Sequence, residues 1–184
     1  MNPTDQQDTD GGTDMAQRLD RTRMSHQHAQ PLHILYLTHY FPPEVNAPAL
    51  RVSEFAREWR RLGHRVTVQT GFPNHPSGIV PESYRGKVFQ RDTVYGAQVY
   101  RSYIYAAPNK GFFKRALNYL SFMVSTVFFS SWRSGPADVV IGTSPQFFVA
   151  IAAWITSLIK RAPFVFEVRD LWPEEIVAVG AIRS

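Results

Sequence analysis

The sequence predicts an α/β fold, an open and mostly parallel sheet with helices on both faces. Three observations lead there. Short apolar runs at 32–38, 65–70, 138–142 and 164–168 have the length of strands inside a parallel sheet. Stretches with helical periodicity separate them, at 46–62, 116–132 and 146–159. The stretch from Leu32 to Thr70 is one strand–helix–strand unit of near-minimum size, which implies two parallel strands joined by a right-handed crossover.

The 184 residues suffice for one domain with a sizeable core. There is no cysteine, which excludes a disulfide framework, thiol catalysis and thiolate metal sites and fits a reducing, cytoplasmic compartment. The formal charge of +5 is uneven: residues 1–30 carry a net −2 and the remainder +7. A basic folded part suits anionic partners such as nucleotide phosphates or lipid headgroups, or it is a solubilising surface. No Lys/Arg-rich run or base-reading motif is present, so no nucleic-acid partner is expected. Residues 1–30 are too poor in apolar side chains to offset chain entropy and are expected to be disordered. They contain no apolar signal-peptide core, and Met15 and Met24 are alternative starts to Met1. The folded domain is assigned to residues 31–184.

The elements follow in order. Leu32–Thr38 is the first strand, and Pro42 and Pro43 make the next stretch a loop. A helix starts at Asn46 or Ala47, accepts Pro48 in its first turn and buries Leu50, Val52, Phe55, Trp59 and Leu62; Gly63 ends it. Arg65–Thr70 is the second strand. Residues 71–86 form a long loop with three prolines and three glycines, functional or mobile. Lys87–Asp92 and Gln98–Tyr105 are short strands turning near Tyr95 and Gly96. Ala116–Trp132 has no charged residue, and Asn118, Ser121 and Ser125 form a polar stripe along it. Lys110, Lys114 and Arg115 flank one end and Arg133 the other. Three readings stay open for it: a buried core helix, an in-plane helix at the cytoplasmic leaflet, or a membrane span. Asp138–Gly142 is a buried strand, Gln146–Ile159 an apolar helix closed by Lys160 and Arg161, and Phe164–Val168 a strand buried on both faces.

In such a sheet the ligand crevice lies outside the strand carboxyl ends. Four loops meet there: 38–47, 71–86, 142–146 and 169–175. No G-x-G-x-x-G and no P-loop lysine pattern occurs, which disfavours a nicotinamide dehydrogenase or a nucleoside triphosphatase. His39 ends a central strand and can meet a ligand. His75 is a ligand contact or a solvated loop histidine. Arg51, one turn into the first helix, reaches a phosphate or stays exposed. Thr143 and Ser144 donate hydroxyls to a ligand, or Ser144 caps the next helix ahead of Pro145. Arg85 reads as a surface residue. Arg169 and Asp170 end a buried strand, where charge is costly unless satisfied, by a ligand or by each other. Glu174 and Glu175 begin a helix, and one of them can face the crevice. No metal-ligand spacing appears.

These residues resemble the amino-terminal domain of GT-B-fold, family-4, retaining glycosyltransferases, and more narrowly their bacterial exopolysaccharide and O-antigen branch. The matching segments are His33–Glu44, Arg51–Glu54, Leu62–Val68, Pro73–Gly78, Tyr84–Lys87, Thr143–Pro145 and Glu167–Glu174, in order across residues 32–184. The resemblance implies two Rossmann-like domains facing across a cleft, this one on the acceptor side and the other binding most of a nucleotide-sugar. It implies transfer that keeps the anomeric configuration, with no metal or cofactor beyond the nucleotide-sugar co-substrate. The acceptor is implied to be a glycan, often lipid-linked, at the cytoplasmic membrane face, with 110–133 as the membrane contact. By analogy Arg169 and Asp170 lie at the acceptor as catalytic residues, and His39, Glu44, Arg51, His75, Thr143, Ser144 and Glu174 bind substrate. Where relatives have glycines in the first loop this chain has Asn46-Ala-Pro-Ala49, which reduces backbone donors for phosphate. The chain is expected to be truncated at 184 and inactive alone. Its rivals are a non-catalytic assembly subunit that pairs with a separate donor domain, and a membrane-associated remnant.

Overall fold

A computed structural model describes residues 30–106 and 112–169. Six strands form one sheet: β1 (His33–Leu37), β2 (Arg65–Gly71), β3 (Phe89–Val94), β4 (Ala97–Ser102), β5 (Val139–Thr143) and β6 (Phe164–Glu167). Their order is β3-β4-β2-β1-β5-β6, parallel throughout except for the β3–β4 hairpin. The helices are α1 (Ala47–Arg61), α2 (Phe112–Ser125), which continues as a π-helical turn Thr126–Ser131, and α3 (Phe147–Lys160). The predicted α/β architecture is therefore the observed one, with α1 on one face and α2 and α3 on the other.

Strand alternation divides the core into two. Tyr36, Val66, Val68 and Val99 point to the α1 side and pack on Val52 and Ala56. Leu35, Leu37 and Val140 point the other way, onto Phe122, Val149, Ala152 and Ala153. The inner stripe of α1 is Ala49, Val52, Ser53 and Ala56, with Phe55 and Trp59 at its margin. Leu50 and Leu62, expected inside, are exposed, because small residues let the helix lie close to the sheet and turn its longer flanking side chains outward. Asn46 caps the helix by accepting the Ala49 amide at 2.9 Å, and Gly63 ends it at φ +89°. Tyr95 and Gly96, both at positive φ, make the two-residue hairpin turn.

One expectation changes, and one open reading resolves. Among the described residues β6 is the sheet edge, with Val165 and Phe166 each nearly half exposed rather than buried on both faces. Its apolar composition identifies a strand but not its position in the sheet. The greasy stretch 116–132 is a core-packing helix, but its polar stripe faces inward. Asn118 donates to the Tyr105 carbonyl at 2.8 Å, Ser121 accepts the Tyr105 amide at 2.7 Å, and Ser125 donates to the Tyr103 carbonyl. Leu117, Leu120, Val124, Phe128 and Trp132 face outward. No helix among the described residues is long and apolar enough to cross a membrane.

The close approach of α3 to β5 depends on Gly142. A Cβ there would lie 2.5 Å from the Ala153 Cβ and 3.4 Å from Phe164. Gly142→Ala is expected to destabilise the domain by about 2–3 kcal/mol through overpacking. Adding Ala153→Gly should recover part of that loss in urea denaturation, although the new glycine itself costs about 1 kcal/mol in the helix; strictly additive losses would contradict the contact.

Candidate functional site

The sheet order reverses beside β1: the chain first builds β2 and β4 on one side, then β5 and β6 on the other. Loops leaving β1 and β5 therefore diverge and open a crevice at the strand carboxyl ends. The predicted residues fall into two groups around it.

The first group surrounds Glu44. Its carboxylate is buried and accepts the backbone amides of Asn74 (3.0 Å), His75 (2.9 Å) and Phe41 (3.4 Å), tying the loop after β1 to the loop after β2. Burial raises its pKa; the three amides and the Arg101 charge oppose this without cancelling it. Arg101 supports the same loop from below. It is 1% exposed, donates to Asp92 at 2.6 Å and to the Pro42 carbonyl at 2.5 Å, and lies over the Tyr84 ring. Glu44 and His75 line a small cavity of about 180 Å³ with Pro43, Asn74 and Ser77. His75 thus borders a cavity and is not merely solvated, and its buried Nδ1 has no hydrogen-bond partner.

His39 lies inside, not on the crevice surface. Tyr40, Tyr119 and Phe122 meet it edge-on, with centroids 4.8–5.0 Å away. Burial pushes its pKa down to about 4, against a smaller opposing effect of Asn118, so the imidazole is neutral at pH 7. Its Nδ1 is also buried without a partner, as is the Asn46 amide nitrogen. Buried polar atoms without partners are uncommon, and three of these atoms fall on the two loops that Glu44 joins.

The second group holds β6 to β1, β5 and α1. Tyr36 donates its hydroxyl to Glu167, and Arg51 donates to the same carboxylate through Nε (3.0 Å) and Nη2 (2.5 Å). Burial alone would raise the Glu167 pKa; hydrogen bonds from Tyr36, Arg51 and Thr143 outweigh it and hold the carboxyl below its ordinary range. Burial, then the bond to Glu167, push the Tyr36 hydroxyl up, so it remains a donor. Arg51, read as reaching a phosphate or staying exposed, is half-exposed and pairs with Glu167. Ser144 does not cap α3: the cap position is Gln146, with no side-chain cap bond. The Ser144 hydroxyl accepts the Arg169 amide at 2.6 Å and its own amide donates to the Glu167 carbonyl at 2.9 Å, so it fixes the backbone at the end of β6. Thr143 is buried and donates to the Ser144 carbonyl at 3.1 Å. The Arg169 side chain is half-buried and makes no ion pair among the described residues. Asp170 and Glu174 lie outside the described residues.

Sequence reasoning missed Tyr36 and Glu167 as site residues. Glu167 ends an apolar strand, where a carboxylate needs partners, and Tyr36 is the one residue with a polar tip in the first strand's Ile34–Leu37 core. Among the described residues no group of three or more His, Cys, Asp or Glu side chains gathers as a metal site.

The neutral, buried His39 fixes the sign of a pH effect. Its folded pKa lies below the ordinary 6.5, so the unfolded chain binds the proton more readily between about 4 and 6.5 and stability falls as pH falls through that window. His39→Phe should remove about 3 kcal/mol of that acid sensitivity in urea denaturation at pH 7 and pH 4. Equal pH slopes for the two proteins would contradict the burial of a neutral imidazole.

A family model described as a glycosyl transferase 4-like domain matches residues 46–182. The match begins at the Asn46 cap and spans α1, β2 to β5, α2, α3 and β6, with Glu167 at its end and Arg169 just beyond. No curated protein matches the chain. With that match over most of its length, on a mostly parallel α/β sheet with a crevice at the strand carboxyl ends, the chain belongs to the glycosyl transferase 4-like family.

Proposed function

We propose that this domain forms the acceptor side of a retaining glycosyltransferase cleft of the GT-B type, acting in bacterial surface-polysaccharide synthesis. The observation that carries this reading is the convergence of the loops after β1, β2 and β5 with the end of β6 at the strand carboxyl ends. Glu44 holds the first two loops together and Ser144 fixes the backbone at Arg169, while the buried His75 Nδ1 has no hydrogen-bond partner and Arg169 makes no ion pair among the described residues. Loops tied together this way offer fixed polar contacts to sugar hydroxyls.

In this reading a nucleotide-sugar is the co-substrate, held mostly by a facing second domain, and no further cofactor takes part. The acceptor hydroxyl attacks the anomeric carbon, the nucleoside diphosphate leaves with the bonding pair, and the hydroxyl proton is released. Asp170 and Arg169 act at the acceptor. His75 and Glu44 shape its sugar pocket, Glu44 by positioning the loop, and Thr143, Ser144 and Glu174 complete the crevice. His39 and Arg51 act through packing and through Glu167. The outward face of α2, with Leu117, Leu120, Val124, Phe128 and Trp132 beside Lys114, Arg115 and Arg133, suits peripheral contact with an anionic leaflet at the inner face of the cytoplasmic membrane.

The test is transfer from UDP-, GDP- and dTDP-sugars to an isoprenoid-diphosphate-linked acceptor. The 184-residue chain is expected to show none by itself and to become active when joined to a donor domain. There, Asp170→Ala should lower kcat by about 10²-fold or more with the unfolding midpoint unchanged. Parallel losses of kcat and stability would reduce Asp170 to a structural role, and transfer by the chain alone would overturn the divided cleft.

A further inference from the structure

The largest fully buried side chain among the described residues carries a charge: it is Arg101 on β4. Core stability does not account for it, because a buried ion pair can often be exchanged for apolar side chains of similar volume without loss. Its contacts point to the crevice. Nε donates to Asp92 on β3 at 2.6 Å, and Nη2 donates to the Pro42 carbonyl in the loop after β1 at 2.5 Å. The guanidinium also lies over the ring of Tyr84, which packs on Phe72 in the segment after β2. Nη1 is buried and has no hydrogen-bond partner. A guanidinium placed for its own pairing would have all its donors met. This one is placed by the two partners that it holds.

The loop it grips offers few other handles. Pro42 and Pro43 carry no N–H, so that stretch can be anchored only through its carbonyl oxygens. Glu44 follows directly, and its carboxylate collects the amides of Phe41, Asn74 and His75. Where Pro42 sits therefore sets where that carboxylate sits. Arg101 is fixed in turn from the hairpin. Strand pairing sets it opposite Gln90. Gln90 donates to the second Asp92 oxygen at 2.7 Å and accepts from Lys87 at 3.0 Å. One polar chain thus runs from Lys87, at the entrance to β3, to the crevice loop. The planar fork of arginine holds two partners at a fixed spacing, which the single point charge of a lysine does not.

We infer that Arg101 is a positioning residue for glycosyl transfer: through the Pro42 carbonyl it sets the loop that carries Glu44, which makes the β3–β4 hairpin part of the machinery of the crevice. This rests on the reading of that crevice as one side of the transfer cleft, and it adds a residue that acts without touching substrate. Among the described residues the titratable groups facing Glu44 are His75, Tyr40 and Arg101, with Asp92 behind Arg101. The Arg101 charge opposes the effect of burial on Glu44. Its removal lets Glu44 take up a proton at higher pH, and a protonated Glu44 offers less acceptor capacity to the three amides.

The test uses the isotope-labelled 184-residue chain and two NMR readings. One is backbone hydrogen exchange at Phe41, Asn74 and His75, taken relative to the core amides of β1. The other is the pH at which the Glu44 carboxyl carbon titrates. Arg101→Met with Asp92→Leu replaces the pair by apolar side chains. It is expected to keep the unfolding midpoint in urea, to speed exchange at the three amides about tenfold relative to β1, and to move the Glu44 titration to higher pH. Arg101→Lys is the second variant, should the apolar pair not fold. It keeps the charge, so the titration stays in place while exchange at the three amides still rises. Unchanged exchange in a folded variant of either kind overturns the positioning role. So does exchange that rises equally in β1, which would make Arg101 a residue of global stability only. In the chain joined to a donor domain, the apolar pair should lower kcat/KM about tenfold at the same unfolding midpoint. Full kcat/KM beside accelerated loop exchange overturns the role in transfer. Because exchange is read without turnover, the two readings fail separately: a joined protein that never transfers sugar refutes the crevice reading and leaves the loop result standing.

Discussion

Three backbone amides end on the buried Glu44 carboxylate, and the upper edge of the domain is organised by that convergence. Loops after parallel strands must satisfy their own amides, because the ladder stops where they begin. Here one side chain serves Phe41, Asn74 and His75 together, and no cation touches it: Arg101 acts at a distance while its own groups hold Asp92 and the Pro42 carbonyl. An acceptor-only group surrounded by donors fixes loop geometry without closing the adjoining cavity. The first site group exists because these two loops cannot move independently.

The second group uses the opposite device. Glu167 is met by a neutral donor and a charged one from two elements, Tyr36 on β1 and Arg51 on α1. That carboxylate ties the edge strand β6 to β1 and α1, and the Ser144–Arg169 bond separately fixes the backbone just beyond it. The two carboxylates differ in net effect: burial dominates at Glu44, hydrogen bonding and charge dominate at Glu167. Both connect to β1, at the position where the strand order reverses: Glu44 stands on the loop that leaves it and Tyr36 within it meets Glu167.

Much of this was legible in the sequence for identifiable reasons. Asn46, Pro48 and Gly63 bracket α1, and Tyr95-Gly96 marks the hairpin, because each residue meets a local backbone requirement. The apolar runs gave the strands, and their spacing gave the crossover. Long-range pairing was not legible. Nothing in the local pattern joins Arg51 to Glu167 or Glu44 to His75, so Arg51 read as exposed or phosphate-binding and Glu44 entered only through a resemblance. Ser144 looked like a helix cap because Pro145 follows it, but its hydroxyl is taken by the Arg169 amide. The pattern also left open which side of α2 faces in, since hydropathy counts apolar residues and not where the neighbouring chain needs hydrogen-bond partners.

That last point has a consequence for how α2 finds its place. Asn118, Ser121 and Ser125 act as a rotational index, each matched to a peptide group of the 103–105 segment, and Ser130 meets Ser102 at 2.5 Å one turn further on. Burial of oil alone would favour turning the helix the other way, with Val124 and Phe128 inside. The observed rotation is thus selected by polar matching against the cruder preference, and it is sensitive to phase. One residue inserted between Asn118 and Ser125 would turn everything after it by about 100° and put the index out of step with its track. Length in this segment is therefore constrained more tightly than its plain, low-charge composition suggests.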